Sequence, residues 1–107
     1  MIKLQIDADK YDLPSDLRSE IEESIGGLDE YMNTLERGHV TVAWDGGRNK
    51  ETKIHAQLWG PGHTFEGHDT DWHPSTALHK TRHKLETQIR REHGKEISER
   101  DEGGRKR

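Results

Sequence analysis

TKIHAQLWGPGHTFEGH, residues 52–68, is the stretch whose reading decides the fold. Ile54, Ala56 and Leu58 fall on one face of an extended chain, and Lys53, His55, Gln57 and Trp59 on the other. A period of two is the mark of a strand buried on one side only. Gly60, Pro61 and Gly62 predict a short hairpin turn, with Phe65 the main apolar anchor of the returning strand. Upstream, HVTVAWD repeats the alternation: Val40, Val42 and Trp44 share a face, and residues 46–49 (GGRN) predict a turn. Together these segments predict a three-stranded meander.

The flanks supply one more strand and two helices. Ile2, Leu4 and Ile6 alternate with polar residues as a half-buried strand, followed by a turn over residues 7–13. Pro14 and Ser15 are residues that helix starts favour. Leu17, Ile21, Leu28 and Leu35 then recur at helical spacing as far as Gly38, which is expected to end the helix. Gly26 and Gly27 interrupt that pattern at a cost of about 1 kcal/mol each relative to Ala, so they predict either a close approach to the sheet or a kink. A loop from Asp69 to Pro74 leads to a second helix over about 75–94. The order β-α-β-β-β-α predicts an α+β domain, a four-stranded sheet with two helices packed on one face. Trp44 and Trp72 are expected at the core or its edge, and Trp59 as a partly exposed strand residue. The domain is expected to span residues 1–95, with the charged, glycine-containing segment 96–107 a disordered tail.

Composition narrows the function. Of the 107 residues only 27% are hydrophobic and 36% are charged, enough for a thin core. No run approaches the roughly 18 apolar residues of a membrane helix, and the N-terminus lacks the apolar stretch of a signal peptide. With no cysteine there is neither a disulfide nor a thiolate metal site, and a cytoplasmic location follows as the default. The net charge of −4 hides an asymmetry. Residues 1–78 hold 7 Lys/Arg against 15 Asp/Glu, net −8, and residues 79–107 hold 10 against 6, net +4. One anion-facing end on an acidic body is the expectation.

The second helix locates that end. At about 100° per residue and with Leu78 at zero, Leu85 and Ile89 fall within about 20° of it, with Thr81 near −60°. His79, Lys80, His83, Lys84, Thr87, Arg90 and Arg91 fall in the opposite arc, between about 100° and 240°, with Glu86 at its rim near 80°. A generic solvated helix mixes signs. Like charges gathered on one face destabilise a helix unless a polyanion meets them, and evenly spaced Lys and Arg suit nucleic-acid phosphates. No zinc-finger spacing, basic zipper or aromatic RNP pattern is present, so RNA recognised by shape fits better than a DNA sequence.

The run LDEYMNTLERGHVTV…TKIHAQLWGPGHTFEG…ALHKTRHKLETQIRREHGK, within residues 2–95, resembles the short ribosome hibernation-promoting factors and ribosome-associated translation inhibitors of the sigma-54 modulation protein family. The resemblance implies a double-stranded-RNA-binding-like fold that docks on small-subunit rRNA near the mRNA and tRNA sites, inhibiting translation and protecting idle ribosomes under stress. By position in the last helix, Lys84, Arg90, Arg91 and Lys95 match the family's rRNA-binding basic residues; the wheel adds Lys80 and His83. The partner implied is the small ribosomal subunit, with the protein monomeric off the ribosome and no membrane, cofactor or small-molecule substrate involved. Two departures stand out. Glu22, Glu23, Asp29 and Glu30 occupy a first helix that is usually basic outside, and DTDWHPSTAL replaces the usual start of the last helix. The long members carry a second, dimer-forming domain, and this chain resembles the short form.

Other chemistry is disfavoured. His79 and His83 have i,i+4 metal spacing, but no HExxH glutamate or third ligand accompanies them, so no metal is expected. Ser19, Ser24, Ser75 and Ser98 lack a glycine elbow, and no catalytic residue is assigned. The alternative, motivated by the acidic first helix, is a protein- or polyanion-binding module of the same fold that no longer binds ribosomes.

Overall fold

Alternating apolar residues need a partner layer, and the computed structural model shows how they find one. It describes residues 2–44 and 50–101, the last seven by backbone alone. The elements are β1 (Lys3–Asp9), α1 (Ser15–Gly26), β2 (Arg37–Trp44), β3 (Thr52–Gly60), β4 (His63–Asp71) and α2 (Pro74–Asp101). The four strands form one sheet in the order β1-β2-β3-β4, with β1 parallel to β2 and the other pairs antiparallel. This is the predicted α+β arrangement.

Register aligns the apolar residues into a band. Ile6 lies beside Val40, Val40 beside Ala56, Val42 beside Ile54 and Leu58 beside Phe65. Across this band lie α2, packed on β3 and β4, and α1, packed on β1 and against α2. Ile21, Ile25 and Leu28 from the first helical segment and Leu78, Leu85 and Ile89 from α2 are completely buried. Thr81, buried in the α2 stripe, donates its hydroxyl to the Ala77 carbonyl at 2.8 Å and lies 3.2 Å from that of Ile54. Its polar group therefore enters the core satisfied.

Several local expectations change. The first helical stripe is not one helix: α1 stops at Gly26, and a 3-10 turn, Gly27–Glu30, carries Leu28 inward. The Gly26–Gly27 pair is thus the kink, where poor helix formers let the chain tighten. Gly38 lies inside β2 rather than at a helix end, at a place where a Cβ would strike the Leu58 and Leu4 side chains. β4 continues to Asp71, into the expected loop, and α2 continues past Gly94 to Asp101. Trp44 and Trp72 are 52% and 63% exposed rather than core anchors. Trp44 ends β2 and packs on Tyr11, centroids 4.9 Å apart; Trp72 lies in the bend before α2. The turn expected at residues 46–49 lies outside the described residues.

Gly62, at φ +79°, follows Pro61 in the two-residue connection of β3 to β4, as in a type II turn. Gly60 has a different reason: a Cβ there would meet the Thr34 carbonyl. Gly60→Ala is expected to destabilise the domain by roughly 1–3 kcal/mol. Ile89→Ala, which empties a fully buried site, is expected to cost about 2–5 kcal/mol. Urea melts followed by circular dichroism measure both.

Candidate nucleic-acid interface

Pro74 starts α2 as a first-turn residue without an N–H to satisfy, while the His73 N–H donates to Asp71 at 3.1 Å. From there the inner stripe fixes the helix's rotation, and the outer face follows. His83, Thr87, Arg90 and Arg91 are exposed, as are Lys80 and Lys84. The side chain of Lys95 lies outside the described residues.

The exposed cations differ in what already holds them. β4 is an edge strand, and the carbonyls of Glu66, His68 and Thr70 receive bonds from α2 side chains. Lys80 donates to Thr70 O at 2.9 Å, Lys84 to His68 O at 2.9 Å, and Gln88 Nε2 to Glu66 O at 2.7 Å. Gln88 Oε1 also accepts the Glu66 N–H at 3.3 Å. Two carboxylates complete the seam: Lys84 lies 3.2 Å from Asp69, and Lys80 lies 3.3 Å from Asp71 and 3.5 Å from Asp69. Both lysine side chains nevertheless stay 44–50% exposed.

On the other flank, Arg82 donates to Ser24 O at 3.0 Å and to Glu86 at 2.7 Å, tying α2 to the first helical segment. Arg90 shares Glu86 at 3.3 Å, and its guanidinium lies 5.7 Å from the centroid of the Tyr31 ring. Arg91 has no ion pair among the described residues. His79 lies 3.5 Å from Glu20 of α1, so its ring is engaged toward α1. Among the described residues no group of three or more His, Asp or Glu is placed to hold a metal.

The resemblance and the helical wheel together name six candidates on one helix but miss the acids that face Lys80 and Lys84. Asp69 and Asp71 sit on β4, outside any calculation on α2 alone. The available signal is their spacing: two residues apart on a strand, against Lys80 and Lys84 four apart on a helix. Gln88 and His68 are the other residues missed.

Electrostatics at the seam follow from these contacts. Partial burial works to raise the Asp69 carboxyl, but the Thr70 N–H, Lys84 and Lys80 together hold it below the ordinary 3.8. The His73 N–H, with Lys80, holds Asp71 below the same value. Desolvation opposes the charge on Lys80, yet Asp71 and Asp69 raise its pKa above 10.5. Depressed carboxyls add stability that is complete above the ordinary carboxylate pKa and is lost as pH falls through their lowered values. Asp69→Asn/Asp71→Asn is expected to flatten stability against pH below about pH 4 and leave its slope at neutral pH unchanged, as measured by thermal melts at stepped pH. Gln88→Ala is expected to cost about 0.5–1.5 kcal/mol and to speed amide exchange at Glu66 above its neighbours.

Comparison with known proteins places this surface in context. The family model described as Sigma 54 modulation protein / S30EA ribosomal protein matches residues 4–97. No curated protein matches the sequence at a significant level. Among solved structures, the N-terminal domain of Protein Y from Thermus thermophilus is similar with a TM-score of 0.72 and 22% identity, covering 85% of this chain and 98% of that one. A ribosomal subunit interface protein from Coxiella burnetii is similar with a TM-score of 0.73 and 18% identity, covering 82% and 93%. At such identities these two structures speak for the fold. No described helix is long and apolar enough to cross a membrane.

Proposed function

The chain belongs to the sigma-54 modulation protein / S30EA ribosomal protein family, and from that premise we propose that it is a ribosome-associated translation inhibitor, a hibernation factor that docks on small-subunit rRNA near the mRNA and tRNA sites through the outer face of α2. The observation that carries this reading is the exposed side of that helix. Between His79 and Arg91 the only carboxylate the helix itself contributes is Glu86, which sits at the rim and is shared by Arg82 and Arg90. Arg90 and Arg91 project at the C-terminal half of this face, His83 and Thr87 lie along its middle, and Lys80 and Lys84 border it on the β4 side. Lys95 extends the same helix by one turn.

Arginine suits this role because its planar fork binds phosphate oxygens in pairs and is weakly hydrated. The two seam lysines contribute differently. Each already has a carboxylate and a carbonyl, so a phosphate must share or displace Asp69 or Asp71. The docking unit is residues 1–95, monomeric off the ribosome and cytoplasmic, with residues 96–107 as a charged appendage. The reading assigns no catalytic step, metal or cofactor. One of the two similar structures is a ribosomal subunit interface protein, which agrees with a ribosomal site of action.

A second reading has its own support. Glu22 and Glu23 of α1 are exposed, and Asp69 and Asp71 offset part of the basic face. These features suit a module of the same fold that binds a protein or another polyanion off the ribosome.

Sedimentation with purified small subunits at two salt concentrations separates the readings. Co-sedimentation is expected to weaken steeply with salt, and Arg90→Glu/Arg91→Glu is expected to weaken it at least tenfold at the lower salt and to reduce the magnitude of the salt slope by about 2. The melting temperature should fall only modestly, because both side chains are exposed and the pair lost and the like charge gained at Glu86 are surface effects. A double variant that still sediments like the parent overturns the α2 docking surface.

A further inference from the structure

The sheet has two edges, and they are finished differently. At β4 the outward carbonyls receive side chains from α2. At β1 the Lys3 N–H donates to Glu36 O at 2.9 Å. With the parallel register of β1 on β2, the odd residues of β1 therefore turn their backbone groups to β2 and the even ones turn theirs outward. The outward N–H of Ile2 is taken by Gly26 O at 3.3 Å. From Leu4 onward the edge is open: the outward N–H and C=O groups of Leu4, Ile6 and Ala8 meet no partner among the described residues. The side chains of Lys3 and Asp9 are exposed and also have no bond or ion pair among the described residues. β1 has no proline, and its register on β2 runs unbroken over seven residues, so the usual devices that blunt an edge strand are missing.

The sequence of this strand, KLQIDAD, is complementary to a reversed copy of itself. With Ile6 facing Ile6 the whole strand overlaps, and Lys10, at φ +53°, turns the chain away just beyond it. Lys3 then faces Asp9 and Gln5 faces Asp7 on the open side of the sheet, while Leu4 faces Ala8 on the helix side. Leu4 is partly buried and Ala8 exposed in the single chain, so this contact covers apolar surface. Every outward residue faces another outward residue, and each such pair exchanges two backbone hydrogen bonds. Slippage by one residue sets outward groups against inward ones. Slippage by two sets Asp7 against Asp7, or leaves Lys3 facing an Asp7 that His39 already holds at 2.7 Å. Near the axis of the pair, His39, Gln5 and, at longer range, Arg18 hold the Asp7 carboxyl below its ordinary value, so its charge is partly offset before two copies approach.

We infer that the free edge of β1 is a contact for a second copy of this chain, in which β1 pairs antiparallel with β1 about Ile6 and joins the two four-stranded sheets into one. The contact is two-fold symmetric, so each copy returns what it receives and the assembly closes at two. The inference is independent of the reading of α2. β1 and β4 are opposite edges of the sheet, and the cations of α2 stay exposed on both copies. A pair of short strands covers less than a standard interface, so Kd is expected on the order of 0.1–1 mM, which leaves the chain monomeric at micromolar concentration and paired where copies are crowded together.

Sedimentation equilibrium of the full chain from about 20 µM to about 2 mM brackets that range. The average mass is expected to rise from that of one chain toward that of two. Over the same range, hydrogen exchange at the Leu4, Ile6 and Ala8 amides is expected to slow severalfold, while exchange at Gln5 and Asp7, whose N–H groups already face β2, stays the same. Lys3→Asp and Asp9→Lys, both at exposed positions, are each expected to weaken self-association about tenfold, because each sets like charges opposite one another twice. An equimolar mixture of the two variants is expected to associate like the parent, since every charge then faces its opposite. A chain that stays monomeric throughout overturns the inference. So does association that leaves the three amides unchanged, single variants that pair like the parent, or a mixture no tighter than either variant alone.

Discussion

Two residues of a β-strand advance about 6.6 Å and four residues of an α-helix about 6.0 Å. That near-equality is what the α2–β4 seam depends on. Lys80, Lys84 and Gln88, four apart, meet the backbone at Thr70, His68 and Glu66, two apart, with helix and strand running in opposite directions. Three consecutive contacts keep step before the mismatch accumulates. The buried stripe of Leu78, Thr81, Leu85 and Ile89 sets the helix's rotation, and the seam sets its position along the strand. A bare edge strand is a template for pairing with another chain. Here lysine and glutamine heads occupy its carbonyls, so the edge is closed without a fifth strand.

The proposed docking face places a second demand on Lys80 and Lys84 beside that of the seam. As edge covers they hold the carbonyls of Thr70 and His68; as proposed RNA contacts they need to be available to phosphate. Partial exposure reconciles the two, because an ammonium has three donors and the backbone takes one. Asp69 and Asp71 set how much positive potential is left over. Arg91, with no ion pair among the described residues, keeps its full charge for a partner, and Arg90 shares only a carboxylate that Arg82 already uses. The face is thus graded from compensated at the β4 border to open toward the C-terminal half of α2.

Family membership with 18–22% identity to solved structures of the same fold shows how little of this surface the architecture requires. What the fold needs is one apolar face per element and small residues at a few crossings, such as Gly38 and Gly60. Those demands leave the outer faces free to vary. In this chain α1 is acidic outside, and Arg82 uses the carbonyl of Ser24 and the carboxylates of Glu30 and Glu86 to hold the two helical segments together.

Much was legible from residue order alone, because periodicity is a local property. Ile54–Leu58 and Val40–Val42 declared buried strand faces, Leu78–Ile89 declared a helical stripe, and the arc from His79 to Arg91 declared the exposed face of that helix. Local rules also place Gly26 and Gly27 as a break, without saying which of two forms it takes. Burial at an element's end was not legible, since it depends on how far a neighbouring layer reaches: Trp44 shares the face of Val42 yet, at the end of β2, is half exposed. Least legible was the charge balance. Asp69 and Asp71 are nine to fifteen residues from Lys80 and Lys84 in the chain and were invisible to any reading of one helix. Only packing α2 along β4 brought those opposite charges within bonding distance, because Coulomb attraction acts through space and the fold decides which groups are near.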